Sequence, residues 1–384
     1  MTTRRKFFTS LAAGSLGASM LEPSFNSALA AILPEEKTAT NVADLAKYPR
    51  TEQSMPGLYP GRVVQVTNPR CVSENIFNAP EIAKMVRDGI LRLTGETDAV
   101  RAWRRFVSPT DRIGLKVNPI GGTLLSTSHE IVHAVIDQLL EAGIPKNNIV
   151  IWDRREFELH EAGFTEERYP GFTITGTERK DKAGSFYDGA GKLYGAAMID
   201  PQWSYWADIE QHYDGETLPY MINEGKHSYF SRICTEQLDK IINIPILKNA
   251  GASVTLCLKN LAFGCISNTG RLHKTLWAET CAEVCAFPPV RDKVVLNIVD
   301  GIKGCYNGGP GANPQFITDY KTVLVGTDPV AVDRIGYDII LKKRIAENIQ
   351  KEESPKGRKF LELAQALKLG VADIEKITLE TLTI

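Results

Sequence analysis

The segment from Asp111 to Arg154 limits what this chain can fold into more than any other. "DRIGLKVNP" is an apolar run of strand length, and "NIVIWDR" is a second one. Between them, "STSHEIVHAVIDQLLEAG" places apolar residues at helical spacing, with Ser and Thr at its start and Gly143 at its end. Strand, helix and strand within about 45 residues make a βαβ unit, which implies parallel strands and a right-handed crossover.

Similar units recur. "GRVVQVTN" reads as a strand, and "APEIAKMVRDGILRLTG" as a helix through Ile82, Met85, Val86, Ile90 and Leu93. "ETDAVRAWRRFVS" and "HKTLWAETCAEVCA" are further helix candidates. "LDKIINIPIL" is apolar to Leu247, and "RDKVVLNIVDG" is a strand ending at Asp300-Gly301, followed by the glycine loop "YNGGPGANP". "KTVLVGTDP" runs into a helix that Asp328 caps and Pro329 opens. A helix over 356–369 and a strand over 375–383 close the chain. The predicted fold is α/β, a doubly wound, mostly parallel sheet forming one domain over residues 31–384. Residues 170–230, aromatic-rich and without clean periodicity, read either as an insertion bordering a site or as a β-meander.

The first thirty residues have another logic. Arg4 and Arg5 precede Lys6, Phe7 and Phe8, a weakly apolar "LAAGSLGASML" follows, and Ala28-Leu29-Ala30 forms a small-x-small cleavage site. This layout predicts a twin-arginine signal, recognition by that export machinery and a periplasmic or other extracytoplasmic mature chain starting near Ala31. Losing Arg4, Arg5, Lys6 and Glu22 removes +2, which takes the net charge from -1 to about -3. Neither value favours nucleic acid or an anionic membrane as partner. No apolar run reaches the ~20 residues of a membrane span. Seven cysteines leave at least one unpaired in any disulfide scheme, and none shows the Cys-x-x-Cys spacing usual for iron–sulfur clusters.

In open parallel sheets, ligands bind beyond the carboxyl ends of the strands. That rule selects Lys116 and Asn118 after one strand, Asp153 and Arg154 after the next, Lys248 and Asn249, then Asp300, then Asp328. In "ILKNAGASVTLCLKNLAFG", Lys248 precedes a turn, and Ser253 or Thr255 is placed to cap a helix carrying Lys259 and Asn260 among Leu256, Leu258, Leu261 and Phe263. Free N–H groups at such a helix start attract anions. The two lysines therefore read as an anion cradle, or as partners of Asp153, Asp300 or Asp328 in an internal ion pair. The spacing is not that of a nucleotide P-loop. His273 follows closely, in position for acid–base work, and Asp333 is a carboxylate in an apolar helix. His129-Glu130-Ile131-Val132-His133 matches the zinc-peptidase string H-E-x-x-H, but on an apolar crossover helix and without an evident third ligand.

In order, "IINIPILKNAGASVTLCLKNLAFGCI…RLHK", "LNIVDGIKGCYNGGPG" and "VLVGTDPVAVDRIG" resemble the family catalogued as domain of unknown function 362, and "IGLKVNPIGG…HEIVHAVIDQLLEAG…NIVIWDR" fits its first half. The resemblance spans about residues 110–340. Many members share a twin-arginine leader; others carry ferredoxin-type cluster modules whose cysteine motifs are missing here. Lys116, Lys248, Lys259, Asn260, His273, Asp300, Asp328 and Asp333 stand at positions matching the family's motifs. The expected function is binding of a small carboxylate- or phosphate-bearing molecule. His273, Lys259 and Asp300 would do isomerase- or lyase-like chemistry, and Lys116, Asn118, Asp153, Lys248, Asn260, Asp328 and Asp333 would bind the ligand. No nucleophile elbow argues for a hydrolase. The alternatives are a protein holding a divalent metal or cofactor through its Asp and His groups, or a cysteine-based redox protein, the iron–sulfur form being disfavoured.

Overall fold

The computed structural model of the protein describes residues 37–210, 225–250, 253–349 and 357–384, so the leader predicted over residues 1–30 lies outside them. The chain divides into Met1–Thr38 and Ala39–Ile384. The second unit holds the α/β sheet.

Its main strands are β1 (Arg62–Thr67), β2 (Ile113–Lys116), β3 (Ile149–Arg155), β4 (Thr173–Glu178), β5 (Lys240–Asn243), β6 (Ile246–Ala250), β7 (Ser253–Thr255), β8 (Val294–Cys305), β9 (Thr322–Gly326) and β10 (Thr378–Thr383), and the short Ile317–Thr318 pairs with the end of β8. The central path runs β10-β1-β9-β8-β5-β2-β3-β4. From β8 through β5, β2 and β3 to β4 every pair is parallel. β9 runs antiparallel to both of its neighbours, so the sheet is mixed at that side. β8 is long because it has two successive partners, β5 along its first half and β6 along its second. The change of partner falls at Pro245, which has no N–H to extend the ladder. Its carbonyl instead accepts the N–H of Asp300 at 2.8 Å.

Strand alternation sorts the side chains onto two faces. Val64, Val66, Ile113, Leu115, Ile149, Ile151, Ile242, Leu296, Ile298, Val323 and Val325 join one core, packed under helices α1 (Ala79–Thr94) and α2 (His129–Glu141). Val63, Val150, Trp152, Ile241, Val294 and Leu324 join the other, under α3 (Cys257–Cys265), α4 (Pro329–Ala346) and Lys359–Ala366.

The fold departs from the sequence expectations in several places, among them the helix expected over "HKTLWAETCAEVCA", which is interrupted at Leu276. Thr173–Glu178, expected within an insertion, is the parallel edge strand β4; the aromatic stretch after it pairs Ile199–Trp206 antiparallel with His227–Ser231. Ser253 and Thr255, expected as helix caps, belong to β7, which folds back antiparallel on β6. Helix α3 begins only at Cys257 and is capped from another element: Asp333 accepts the N–H groups of Cys257 at 2.6 Å and Leu258 at 3.0 Å.

Asp328 is likewise committed to the backbone. One oxygen caps α4 through Val330 and Ala331, and the other accepts from Gly61 and Val371. A Cβ at Gly370 would lie 1.8 Å from this carboxylate, so only glycine passes there. The single side chain thus ties the start of α4 to the chain before β1 and the chain before β10. Asp328→Ala leaves four donors without an acceptor and is expected to destabilise the fold by more than about 2 kcal/mol in urea unfolding, with the m-value unchanged.

Candidate functional site

Three in-register residues begin the site. Lys116, Asn243 and Asn297 are paired across β2, β5 and β8, and Asn297 is opposite Gly326 of β9. Each is preceded by a residue of the first core (Leu115, Ile242, Leu296), so all three point to the opposite face, where α3 lies. None of the three is exposed to solvent. Burying such groups is tolerable only when they are hydrogen-bonded.

The bonds form a directed chain. Asn297 Nδ2 reaches the carbonyls of Gly326 at 3.4 Å and Thr327 at 3.3 Å, groups that can only accept. Asn297 Oδ1 must therefore be its acceptor end, and it takes Asn243 Nδ2 at 2.9 Å. Asn243 Oδ1 takes Asn260 Nδ2 at 2.8 Å, and Asn260 Oδ1 takes Asn118 Nδ2 at 2.9 Å. Asn118 Oδ1 is left as a buried acceptor with no partner among the described residues. Lys116 Nζ also donates to Asn260 Oδ1, at 3.3 Å, and ion-pairs with Asp153. α3 lies directly on this pair. A Cβ at Gly264 would sit 2.4 Å from Lys116 Cε, so the helix approaches only because position 264 has no side chain.

Above the chain lies a cavity of about 50 Å³, lined by Asn118, Ile120, Asp153, Arg154, Glu158, Thr255, Lys259, Asn260, Phe263, Gly264 and His273. Its acids are engaged: Asp153 by Lys116, Glu158 by Arg155, and Glu178 nearby by Arg154 and Arg155. Its lysine is not. Among the described residues, Lys259 Nζ has Thr255 Oγ1 at 3.4 Å and the Phe263 ring at 5.6 Å. Behind it, fully buried Lys248 donates to the carbonyl of Ile120 at 2.5 Å. Among the described residues neither lysine has a carboxylate within ion-pair distance. Burial, then the charge of Lys259, lowers Lys248 to about 7. Burial lowers Lys259 to about 8, Arg154 adding to the effect against an opposing contribution from Cys281.

His273 stands at the mouth with its residue surface exposed, packed on Phe263 with ring centroids 4.4 Å apart. Nδ1 lies 2.9 Å from the carbonyl of Thr269, so that nitrogen carries the proton. The surrounding protein, then Lys259 and Arg154, hold the imidazole below its usual value, and it stays neutral near pH 7.

The structure therefore brings together Lys116, Asn118, Asp153, Lys248, Lys259, Asn260 and His273, and leaves three expected residues elsewhere. Asp333 occupies the N-terminus of α3, the position expected to draw an external anion. Asp328 is the backbone tie described above. Asp300 accepts the N–H groups of Ser128 at 2.7 Å and Ile302 at 3.0 Å and borders a separate groove of about 1020 Å³ with Ser128, His129, Glu130, Arg168 and Lys303. His129 has both ring nitrogens in contact, with Tyr169 Oη at 2.7 Å and the carbonyl of Ala162 at 3.1 Å. Among the described residues no three His, Cys, Asp or Glu are grouped to hold a metal. The seven cysteines are buried without disulfides, and burial pushes the thiols of Cys257, Cys265 and Cys285 up, away from the reactive thiolate. Asn243, Asn297, Thr255 and Glu158 escaped the strand-end rule, because their place depends on register and on packing between distant segments.

Asn260→Leu removes the central amide and orphans Asn118 Nδ2 and Asn243 Oδ1. A loss of more than about 2 kcal/mol in chemical unfolding is expected, against under ~0.5 kcal/mol for His273→Ala at the rim.

The family model described as Domain of unknown function (DUF362) matches residues 113–338. No curated protein matches. A crystal structure of a protein from Thermotoga maritima is similar at 10% identity over 71% of this chain and 60% of that chain, with a TM-score of 0.37. The chain thus spans less than two thirds of that protein's length.

Proposed function

The chain belongs to the family described as Domain of unknown function (DUF362), and because that description assigns no chemistry, we propose its function from the site: it binds a small carboxylate or phosphate group between Lys259, Lys248 and Arg154, and works on the attached molecule by Lys and His proton transfer. The single observation that carries this reading is the Lys259 ammonium, buried at 6% exposure on a cavity wall with no carboxylate partner among the described residues. A buried ammonium without a counter-charge costs several kcal/mol, which an incoming anion offsets. The cavity has room for a headgroup rather than a whole ligand: about 50 Å³ against the ~10–15 Å³ that one water needs. The body of the ligand then passes His273 toward solvent. A neutral imidazole there suits proton abstraction, as in isomerase- or lyase-like steps.

The proposal includes export. The Arg4-Arg5 leader and the Ala28-Leu29-Ala30 site support the twin-arginine route to the periplasm. No helix among the described residues is long and apolar enough to cross a membrane.

Sulfate, which does not titrate near neutrality, tests the site by calorimetry. Lysines charge as pH falls, and here the two empty-site values are about 7 and about 8. Affinity is therefore expected to be high at acid pH and lost as pH rises through that interval, well below the range of an ordinary lysine. The other groups facing the pair are Arg154, Asp153, Glu158, Cys281, Cys305 and His273. An anion raises the lysine values, so binding should take up protons, seen as a buffer-dependent heat. Lys259→Met should weaken binding at least ~10-fold, about 1.4 kcal/mol, while leaving the fold intact. Unchanged affinity in that variant would end the proposal.

A further inference from the structure

We propose that Lys259 is a carbonyl-trapping nucleophile, its amine condensing with the carbonyl carbon of a small 2-oxo acid inside the cavity under His273. This rests on the anion-site reading and adds a covalent step to it.

Three features of the molecule carry the assignment. The first is the state of the amine. Lys259 lines the cavity, lacks an ion-pair partner among the described residues and shares its surroundings with Lys248 and Arg154. A desolvated lysine beside a second cation is the setting in which an amine becomes nucleophilic. With values of about 7 for Lys248 and about 8 for Lys259, Lys248 gives up its proton first and Lys259 becomes a free amine as pH rises through about 8, far below an ordinary lysine. Arg154 on the same cavity wall supplies a charge that holds a carboxylate while Lys259 is a free amine.

The second feature is Asn118. Asn118 lines the cavity, its buried Oδ1 has no partner among the described residues, and turning the amide over would break the bond from its N–H₂ to Asn260. The cavity therefore asks for a ligand with a hydrogen-bond donor as well as an anion. A 2-oxo acid has no donor of its own, but it gains one on addition of the amine, as the hydroxyl of the carbinolamine. Asn118 is thus complementary to the intermediate rather than to the free acid, which favours addition. The third is size: about 50 Å³ admits a carboxylate and its adjoining carbonyl, and the rest of the smallest 2-oxo acids is short enough to lie at the mouth beside His273.

The step balances without an oxidant or reductant. The lone pair of the Lys259 nitrogen forms the N–C bond as the carbonyl π pair moves to oxygen. That oxygen takes a proton while the nitrogen gives one up, with His273 at the mouth as relay to solvent. The hydroxyl then leaves as water with one further proton, and the nitrogen lone pair forms the iminium.

The test uses the full mature chain, pyruvate as probe and sodium cyanoborohydride near neutral pH, with the modified lysine located by peptide mapping. The expected result is one adduct per chain, on Lys259, with the mass of pyruvic acid less one oxygen atom, suppressed by excess sulfate. Lys259→Arg should retain sulfate binding and lose the adduct. If pyruvate competes with sulfate but no adduct forms, or the adduct maps to other lysines, the nucleophile is overturned and the anion site stands. If neither sulfate nor pyruvate binds the wild-type chain, the anion site falls and the nucleophile with it. Mapping on the wild-type chain decides the matter even where the variant fails to fold.

Discussion

The amide chain from Asn118 through Asn260 and Asn243 to Asn297 is the interaction on which the rest of the architecture depends. It puts a polar row across the strands at the centre of the sheet, beneath α3. Every member of that row carries a desolvation cost of about 1–3 kcal/mol if left unpaired, so the row tolerates only one arrangement of its neighbours. The strands must be in register for the amides to meet. Helix α3 must lie flat enough for Asn260 to reach down between Asn118 and Asn243. Gly264 must be bare for the same helix to pass over Lys116. A fully apolar row of similar size would bind the layers together at least as firmly, but it would not select one position for the helix that carries Lys259.

The same helix shows how charges are distributed between structure and function. A helix start in a parallel sheet is a ready anion site, and α3 has one. The fold supplies its own anion there, Asp333 from α4, and so leaves the cation problem unsolved one turn further on, at Lys259. Asp153 is similarly consumed by Lys116, and Glu178 by two arginines. On the wall of the small cavity, what remains without a carboxylate partner among the described residues is the positive charge of Lys259.

Much of this was legible in the sequence. The βαβ unit at 111–154 reads directly from apolar runs and a helical period, and the rule that strand ends carry ligands picked out Lys116, Asn118, Asp153 and Lys248 without reference to function. Asp328 could be read as a cap because a cap is local. Three things were not legible. Ser253 and Thr255 have the residue types of helix caps, yet the chain spends them on a strand, because β6 offers an edge that β7 completes and Asp333 does the capping from some 75 residues away. Asp300 ends up apart from His273 because the partner change at Pro245 carries β8 past the cavity, a geometry no local pattern encodes. Asn243 and Asn297 look like ordinary polar interruptions of apolar strands until the register sets them side by side.

The direction of the amide chain has a further consequence. All four side-chain dipoles are aligned head to tail, from the carbonyls of Gly326 and Thr327 at one end to the bare Asn118 oxygen at the other. Hydrogen bonds in such a series polarise one another, each strengthening the next. A donor placed on Asn118 therefore tightens contacts three strands away, at the point where β9 turns into the helix that Asp328 caps. The cavity wall and the turn from β9 into α4 are thus joined by one series of side-chain bonds that crosses the strands instead of following the backbone.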